Sequence, residues 1–242
     1  MSQVIQLGFS QVNKFRRFLY IGNTKICPIC KKTFSNFAPF GKPQRKEALC
    51  LYCGSLERHR LIWLYFERMT DLFNNQNKSM LHFAPERCFT ERLKKQIGAG
   101  YVTADLYDNS AMVKMDITKI QFPNGTFDVV YCSHVLEHVT NDIMAISELY
   151  RVLKDDGWAV ISVPIYKHLK RTREDNTITN PKERERIFGQ KDHVRAYGPD
   201  YSDRLRSVGF KVRITSPHDF LSDAEIKRMG IPALKEIHFC TK

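Results

Sequence analysis

The run Phe-Asp-Val-Val-Tyr-Cys-Ser at residues 127–133 limits the possible folds of this chain more than any other stretch. It is β-branched, aromatic or apolar with one interruption, the composition of a strand covered on both faces. Ser133 and His134 then turn the chain polar, and Leu136, Val139, Ile143, Ile146 and Leu149 recur at helical spacing. A doubly covered strand belongs to a parallel sheet flanked by helices, and the carboxyl edge of such a sheet is where ligands bind. With 242 residues, 43% apolar and including 16 Phe, there is material for one large domain and a small appendage.

Ahead of this region lie two C-x-x-C pairs, Cys27-Pro-Ile-Cys30 and Cys50-Leu-Tyr-Cys53. Each pair sets two thiolates on a tight turn, and two turns close a tetrahedron around Zn²⁺. The nineteen residues between them fall in the zinc-ribbon range, and Gly54 supplies the small residue such turns favour. With seven cysteines and no secretory pattern, metal binding is a better reading than disulfides. The expectation is a structural Zn²⁺ on Cys27, Cys30, Cys50 and Cys53, with no position left open for water. Four free thiols are the alternative, and they leave a core-poor segment little reason to fold.

Net charge is +12, of which residues 1–78 carry +9. That end suits a phosphate-bearing or anionic partner, nucleic acid included; ordinary solubility charge is the plainer account. Within residues 1–24, Phe9, Val12, Phe15, Phe18 and Leu19 fall on one side of a possible helix, opposite Lys14, Arg16 and Arg17. Such a segment packs on its own protein, or lies on RNA or a membrane. Phe34, Phe37, Phe40, Lys42, Arg45 and Lys46 mix aromatic and basic character, although a small module needs rings for its own core. No apolar run approaches the ~20 residues of a membrane span. The chain reads as cytoplasmic.

In order, residues 55–73 are helical and 74–78 form a turn before the main domain. Residues 79–84 are a strand and 87–97 a helix. Residues 100–105 form a second strand, ending in Asp105. A carboxylate about twenty residues beyond the first strand's turn can accept both hydroxyls of a ribose, though Asp105 can equally cap a turn. Residues 113–118 read as a third strand. A helix over 141–153, ended by Lys154-Asp155-Asp156-Gly157, leads to a strand at 159–163. Residues 166–200 are polar and read as a lid or substrate wall, with His193, Arg195 and Tyr197 alternating toward one side. A helix over 201–208 and strands at 210–214 and 237–240, the last antiparallel, complete the sheet.

Residues 79–242, most of all 116–164, resemble the class I S-adenosylmethionine (SAM) dependent methyltransferases of the type 11 group. The resemblance implies a Rossmann-like α/β sheet and SAM as cofactor. It implies cofactor contacts from Phe83, Ala84, Pro85, Glu86, Asp105, Leu106, Asp116, Ile117, Ser133 and His134. In that family the first turn carries G-x-G-x-G, where this chain has His-Phe-Ala-Pro-Glu. Glu86 either receives the cofactor's ammonium or favours the helix dipole. Asp116 matches the residue that faces the adenine amino group.

His134 and His193 are the candidate bases, and Arg195 and Tyr197 the candidate acceptor contacts. His134 and His138, four apart, resemble a metal pair, but no third ligand suggests itself nearby and no catalytic metal is expected. The expected layout is a basic segment over 1–24, a zinc-ribbon-like module over 25–56, a connecting helix over 57–78 and the methyltransferase domain over 79–242. The expected activity is methylation of an oxygen or nitrogen of a small molecule, sugar or peptide. RNA or a ribosomal component docked on the basic module is the second reading. A non-catalytic binding protein is the third.

Overall fold

The structure is a computed structural model that describes residues 16–41, 43–74 and 77–242. Phe9, Val12, Lys14 and Phe15 of the expected basic helix, and Lys42, lie outside the described residues. The chain divides into two compact units. One holds residues up to 75 together with 86–92 and 216–236; the other holds 76–85, 93–215 and 237–242.

The first unit begins with two antiparallel pairs, β1 (Lys25–Ile26) with β2 (Thr33–Phe34) and β3 (Ala38–Phe40) with β4 (Arg45–Leu49). Helix α1 (Glu57–Met69) follows, burying Leu61, Ile62, Leu64, Tyr65 and Phe66. Arg60, on the same helix, is fully buried. Its Nε donates to the Met229 carbonyl (2.7 Å), Nη1 to that of Ala48 (2.9 Å) and Nη2 to that of Gly230 (2.7 Å). Its guanidinium also lies 3.8 Å over the Phe37 ring. A charge taken out of water is tolerated only when answered in this way. Phe18 and Leu19, expected on an apolar face, are exposed.

The second unit is the sheet. Strand β5 (Met80–Phe83) leads through α2 (Arg87–Ile97) to β6 (Tyr101–Asp105) and β7 (Val113–Lys114). The central strand β8 (Phe127–Ser133) is followed by α3 (Asp142–Val152) and β9 (Leu153–Ser162). Next come β10 (Arg173–Glu174), α4 (Pro181–Phe188), β11 (Arg195–Ala196) and α5 (Tyr201–Ser207). The chain ends with β12 (Lys211–Thr215), α6 (Asp223–Met229, in the first unit) and β13 (Ile237–Thr241).

The order across the sheet is β12-β13-β9-β8-β5-β6-β7. Strands β7 through β9 are parallel, and β13 runs antiparallel to both neighbours. This is the expected Rossmann-like sheet. Val129, Val130, Tyr131 and Cys132 have no exposed surface, as a strand between two helical layers requires. Among the described residues no helix is long and apolar enough to cross a membrane.

Two expectations are corrected, and one segment holds more regular structure than its composition suggests. The third strand stops at Lys114, because the Asp116 side chain folds the next residues into a turn by accepting from Thr118 N and Oγ1. Residues 166–200, read from sequence as a lid or substrate wall, contain regular structure: β10 pairs with β11, and α4 starts on the Asn180 cap and stops at Gly189 with φ +92°. Gly157 does not end a helix. Helix α3 stops at Val152, and Gly157 lies inside β9, where an added Cβ would meet the Asp128 carbonyl oxygen at 2.8 Å. The register shift between Phe127 and Val129 sits beside it, so this glycine permits a close backbone approach at a bulge.

At the foot of β8, Asp128 ties three segments together. Its Oδ2 accepts from Ser79 N (2.8 Å) and Ser79 Oγ (2.6 Å), and Oδ1 from Lys154 Nζ (2.8 Å). Partial burial pushes the carboxyl up, but Lys154 and the Ser79 donors outweigh it and lower it to about 2. A pKa depressed by folding contributes stability above the unfolded value near 4, and that stability is lost as pH falls through 2. Asp128→Asn should therefore cost about 1–2 kcal/mol at pH 7 and far less near pH 2. Urea unfolding at both pH values checks this, and equal losses at the two would contradict it.

Candidate active site

The parallel register brings the ends of β5 and β8 side by side, with Phe83 opposite Cys132. The next residue on β5 and the second beyond Cys132 on β8 both leave the allowed region for ordinary side chains. Ala84 has φ +49° and His134 φ +56°. A left-handed conformation costs a residue with a Cβ about 1–2 kcal/mol, and strain of this kind collects at ligand sites. Ala84 thus makes the turn for which glycine was expected, held by its N–H on the Ala104 carbonyl (2.9 Å). Ala84 and Pro85 are half-buried, whereas the Phe83 side chain is buried in the core and has only backbone to offer.

Two carboxylates lie along the same edge. Asp105 ends β6, and its Oδ1 accepts from Tyr107 N (2.6 Å) and Asp108 N (2.7 Å). Asp105 pairs with Lys114 on β7, and its carbonyl accepts from Met115 N (3.0 Å), so Asp116 follows directly at that end of the sheet. The Asp116 Oδ1 serves its own turn with Thr118. Each carboxylate spends its Oδ1 on its own turn. Leu106 is half-buried and Ile117 buried beside them.

Beyond β8 the chain makes a tight 3₁₀ turn over Leu136–His138. His134 Nδ1 lies 3.0 Å from Glu137 Oε1, and Glu137 is 1% exposed. Burial pushes the Glu137 carboxyl up, but the hydrogen bond and charge of His134 bring it below its ordinary value. A carboxylate on Nδ1 selects the tautomer whose Nε2 accepts a proton. His193, expected as a second base, is buried and donates from Nδ1 toward the Phe188 carbonyl (3.1 Å). Burial lowers its pKa.

Arg195 and Tyr197 are buried like His193, and so are Val194 and Ala196 between them. Arg195 is 1% exposed and donates from Nη1 to the carbonyls of Leu136 and Val139, from Nη2 to Thr140, and from Nε to Glu174. The Tyr197 hydroxyl donates to Asp142 (2.8 Å). Both are engaged by the chain's own groups, and Arg195 holds the turn that carries His134 and Glu137.

Sequence reasoning missed Ser162, whose sequence neighbours give it no special signal. It ends β9 opposite Ser133, and its carbonyl accepts from His134 N (2.8 Å). The Ser162 Oγ, Glu137 Oε2 and His193 Nε2 are buried and make no hydrogen bond among the described residues. Buried polar atoms without a partner call for an explanation, and a bound ligand supplies one.

In the first unit, Glu86 precedes α2, with its carboxylate 3.8 Å from His59 Nε2. The four cysteines come together as two matching turns. Lys31 N reaches the Cys27 carbonyl (2.8 Å) with φ +59°, and Gly54 N reaches that of Cys50 (2.9 Å) with φ +73°. The sulfurs of Cys27 and Cys53, and of Cys30 and Cys50, are each 3.7 Å apart. A tetrahedron with metal–sulfur bonds of about 2.3 Å has edges of about 3.8 Å, so the donor set fits Zn²⁺.

Residues 74–161 match a family model described as a methyltransferase domain. The ubiquinone/menaquinone biosynthesis C-methyltransferase UbiE of Coxiella burnetii is 34% identical over 56 residues, 23% of this chain and 22% of that protein. The chain thus matches less than a quarter of that curated relative. A SAM-dependent methyltransferase from Mesorhizobium loti superposes with a TM-score of 0.53 at 14% identity, covering 75% of this chain and 98% of that one. One from Archaeoglobus fulgidus gives 0.48 at 15%, covering 75% and 93%. At these identities the likeness speaks to the fold, and the Mesorhizobium structure carries it. Residues 74–161 thus match a methyltransferase domain, and the sheet that carries them has the fold seen in a SAM-dependent methyltransferase.

Proposed function

We propose that the second unit binds SAM along the edge formed by β5, β6 and β8 and methylates an oxygen or nitrogen of a small molecule, sugar or peptide. The observation that carries this reading is Asp105 and Asp116 at one end of the sheet, beside the left-handed turn at Ala84. Asp105 would hold the ribose, Asp116 the adenine amino group, and backbone at Ala84 and Pro85 the amino-acid end. SAM supplies an activated methyl group on a sulfonium. His134, its Nδ1 fixed by Glu137, would take the acceptor's proton at Nε2. Ser133, buried at the end of β8, would line the same edge.

Loss of the Asp105 carboxylate removes two hydrogen bonds to ribose, each contributing about 0.5–1.5 kcal/mol. Asp105→Ala should therefore weaken SAM binding about tenfold or more in calorimetry. Unchanged affinity would remove Asp105 from the site.

The basic first unit favours a second reading, with RNA or a ribosomal component as acceptor. Arg17 lies over the Tyr52 ring at 4.3 Å, and Tyr52 is 46% exposed, an aromatic face with cations around it. Radiolabelled SAM incubated with fractionated cell extract separates the two. Label in small metabolites or peptides supports the first, and label in RNA, with binding that falls steeply with salt, supports the second. Absence of SAM binding would leave a non-catalytic binding protein.

We further propose that Cys27, Cys30, Cys50 and Cys53 hold a structural Zn²⁺. Cys50→Ser should release the thiolate-bound zinc, read by elemental analysis, and lower the melting temperature of the first unit. Full retention of zinc would contradict the assignment.

A further inference from the structure

In chain order, His138 has His134 as its apparent partner, and no third ligand is near. The fold gives it a different partner. Its ring lies against that of His193, with centroids 4.8 Å apart and planes at 81°. Glu137 joins them: each of the three residues offers one ligand atom, and these atoms all lie within 4.8 Å of one another.

The outward atoms of the group are already tied. His193 Nδ1 faces the Phe188 carbonyl at 3.1 Å. His138 Nδ1 faces Asp192 Oδ2 at 3.3 Å. Glu137 Oε1 faces His134 Nδ1 at 3.0 Å. An imidazole whose Nδ1 is occupied by a carbonyl or carboxylate presents Nε2 as a lone pair, the arrangement found behind metal-bound histidines. Of the atoms left over, His193 Nε2 and Glu137 Oε2 are buried and make no hydrogen bond among the described residues.

We infer that Glu137, His138 and His193 form a second metal site, separate from the four cysteines, for a first-row divalent cation of the Mn²⁺, Fe²⁺, Co²⁺ and Zn²⁺ series. Two imidazoles and a carboxylate leave coordination positions open, unlike four thiolates. Two donors are buried, and His138 is partly exposed, so a cation can enter from the solvent side. The open positions would take water or oxygens of the acceptor, close to His134. That use rests on the methyl-transfer reading; the binding itself does not.

The test uses the full chain with its cysteines zinc-loaded, dialysed to constant zinc content and titrated with Mn²⁺ and with Co²⁺ by calorimetry. Mn²⁺ is a hard cation that thiolates bind poorly, which keeps the cysteine cluster out of the measurement. One further equivalent of either metal is expected, weakened at least about tenfold in His138→Ala and in His193→Ala. His138 is partly exposed, so its variant keeps the proposal testable if the buried one fails to fold; circular dichroism monitors both. No further equivalent with either metal, or equal affinity in a folded His138→Ala variant, overturns the site. SAM affinity, measured on the same wild-type sample, reports separately on the methyl-transfer reading.

Discussion

A strand covered on both faces and paired on both edges has nowhere along its length to do chemistry. In β8 the side chains from Val129 to Cys132 are sealed in, and β5 and β9 take up the backbone on either side. All that distinguishes this protein from a generic α/β sheet is therefore pushed to the point where the strand runs out. Ser133 and His134 occupy that point, and the left-handed His134 bends the chain away at once. The neighbouring strands end alongside, which places Ala84, Asp105 and Ser162 on the same rim.

A bent turn of this kind needs support, and the support is a buried cation. Arg195 gives its donors to three successive parts of the turn, and in exchange the turn's carbonyls compensate its lost hydration. Removing either side would leave buried polar groups unanswered, at about 1–3 kcal/mol each. The first unit uses the same device. Arg60 meets the carbonyls of Ala48, Met229 and Gly230 there, at the cost of desolvation that pulls its own pKa down. In both units a buried arginine is committed to the chain's own backbone, and one of them, Arg195, is a residue the sequence suggested for the acceptor.

What the sequence made legible was whatever repeats with a short period or depends on near neighbours. The covered strand at 127–133, the turn pairs at Cys27–Cys30 and Cys50–Cys53, and the closing antiparallel strand all belong to this class. Helix α4 was not read from the sequence: Asn180, Pro181 and Gly189 start and stop it, but the polar composition of 166–200 masked these signals. What stayed hidden depends on residues distant in the chain. Alternation grouped His193, Arg195 and Tyr197, yet nothing local says that the whole segment, Val194 and Ala196 included, is buried. Gly157 looked like a helix cap because the carbonyl it accommodates belongs to Asp128, on another strand. His193 meets Glu137 only because the segment after α4 folds back, with Val194 N on the Glu137 carbonyl at 2.9 Å.

The account depends most on one adenosine lying between the ends of β6 and β7. A crystal structure with S-adenosylhomocysteine tests that directly. The account predicts the ribose hydroxyls on the Asp105 carboxylate and the adenine amino group at Asp116. A nucleoside bound elsewhere on the chain, or touching neither carboxylate, would contradict it.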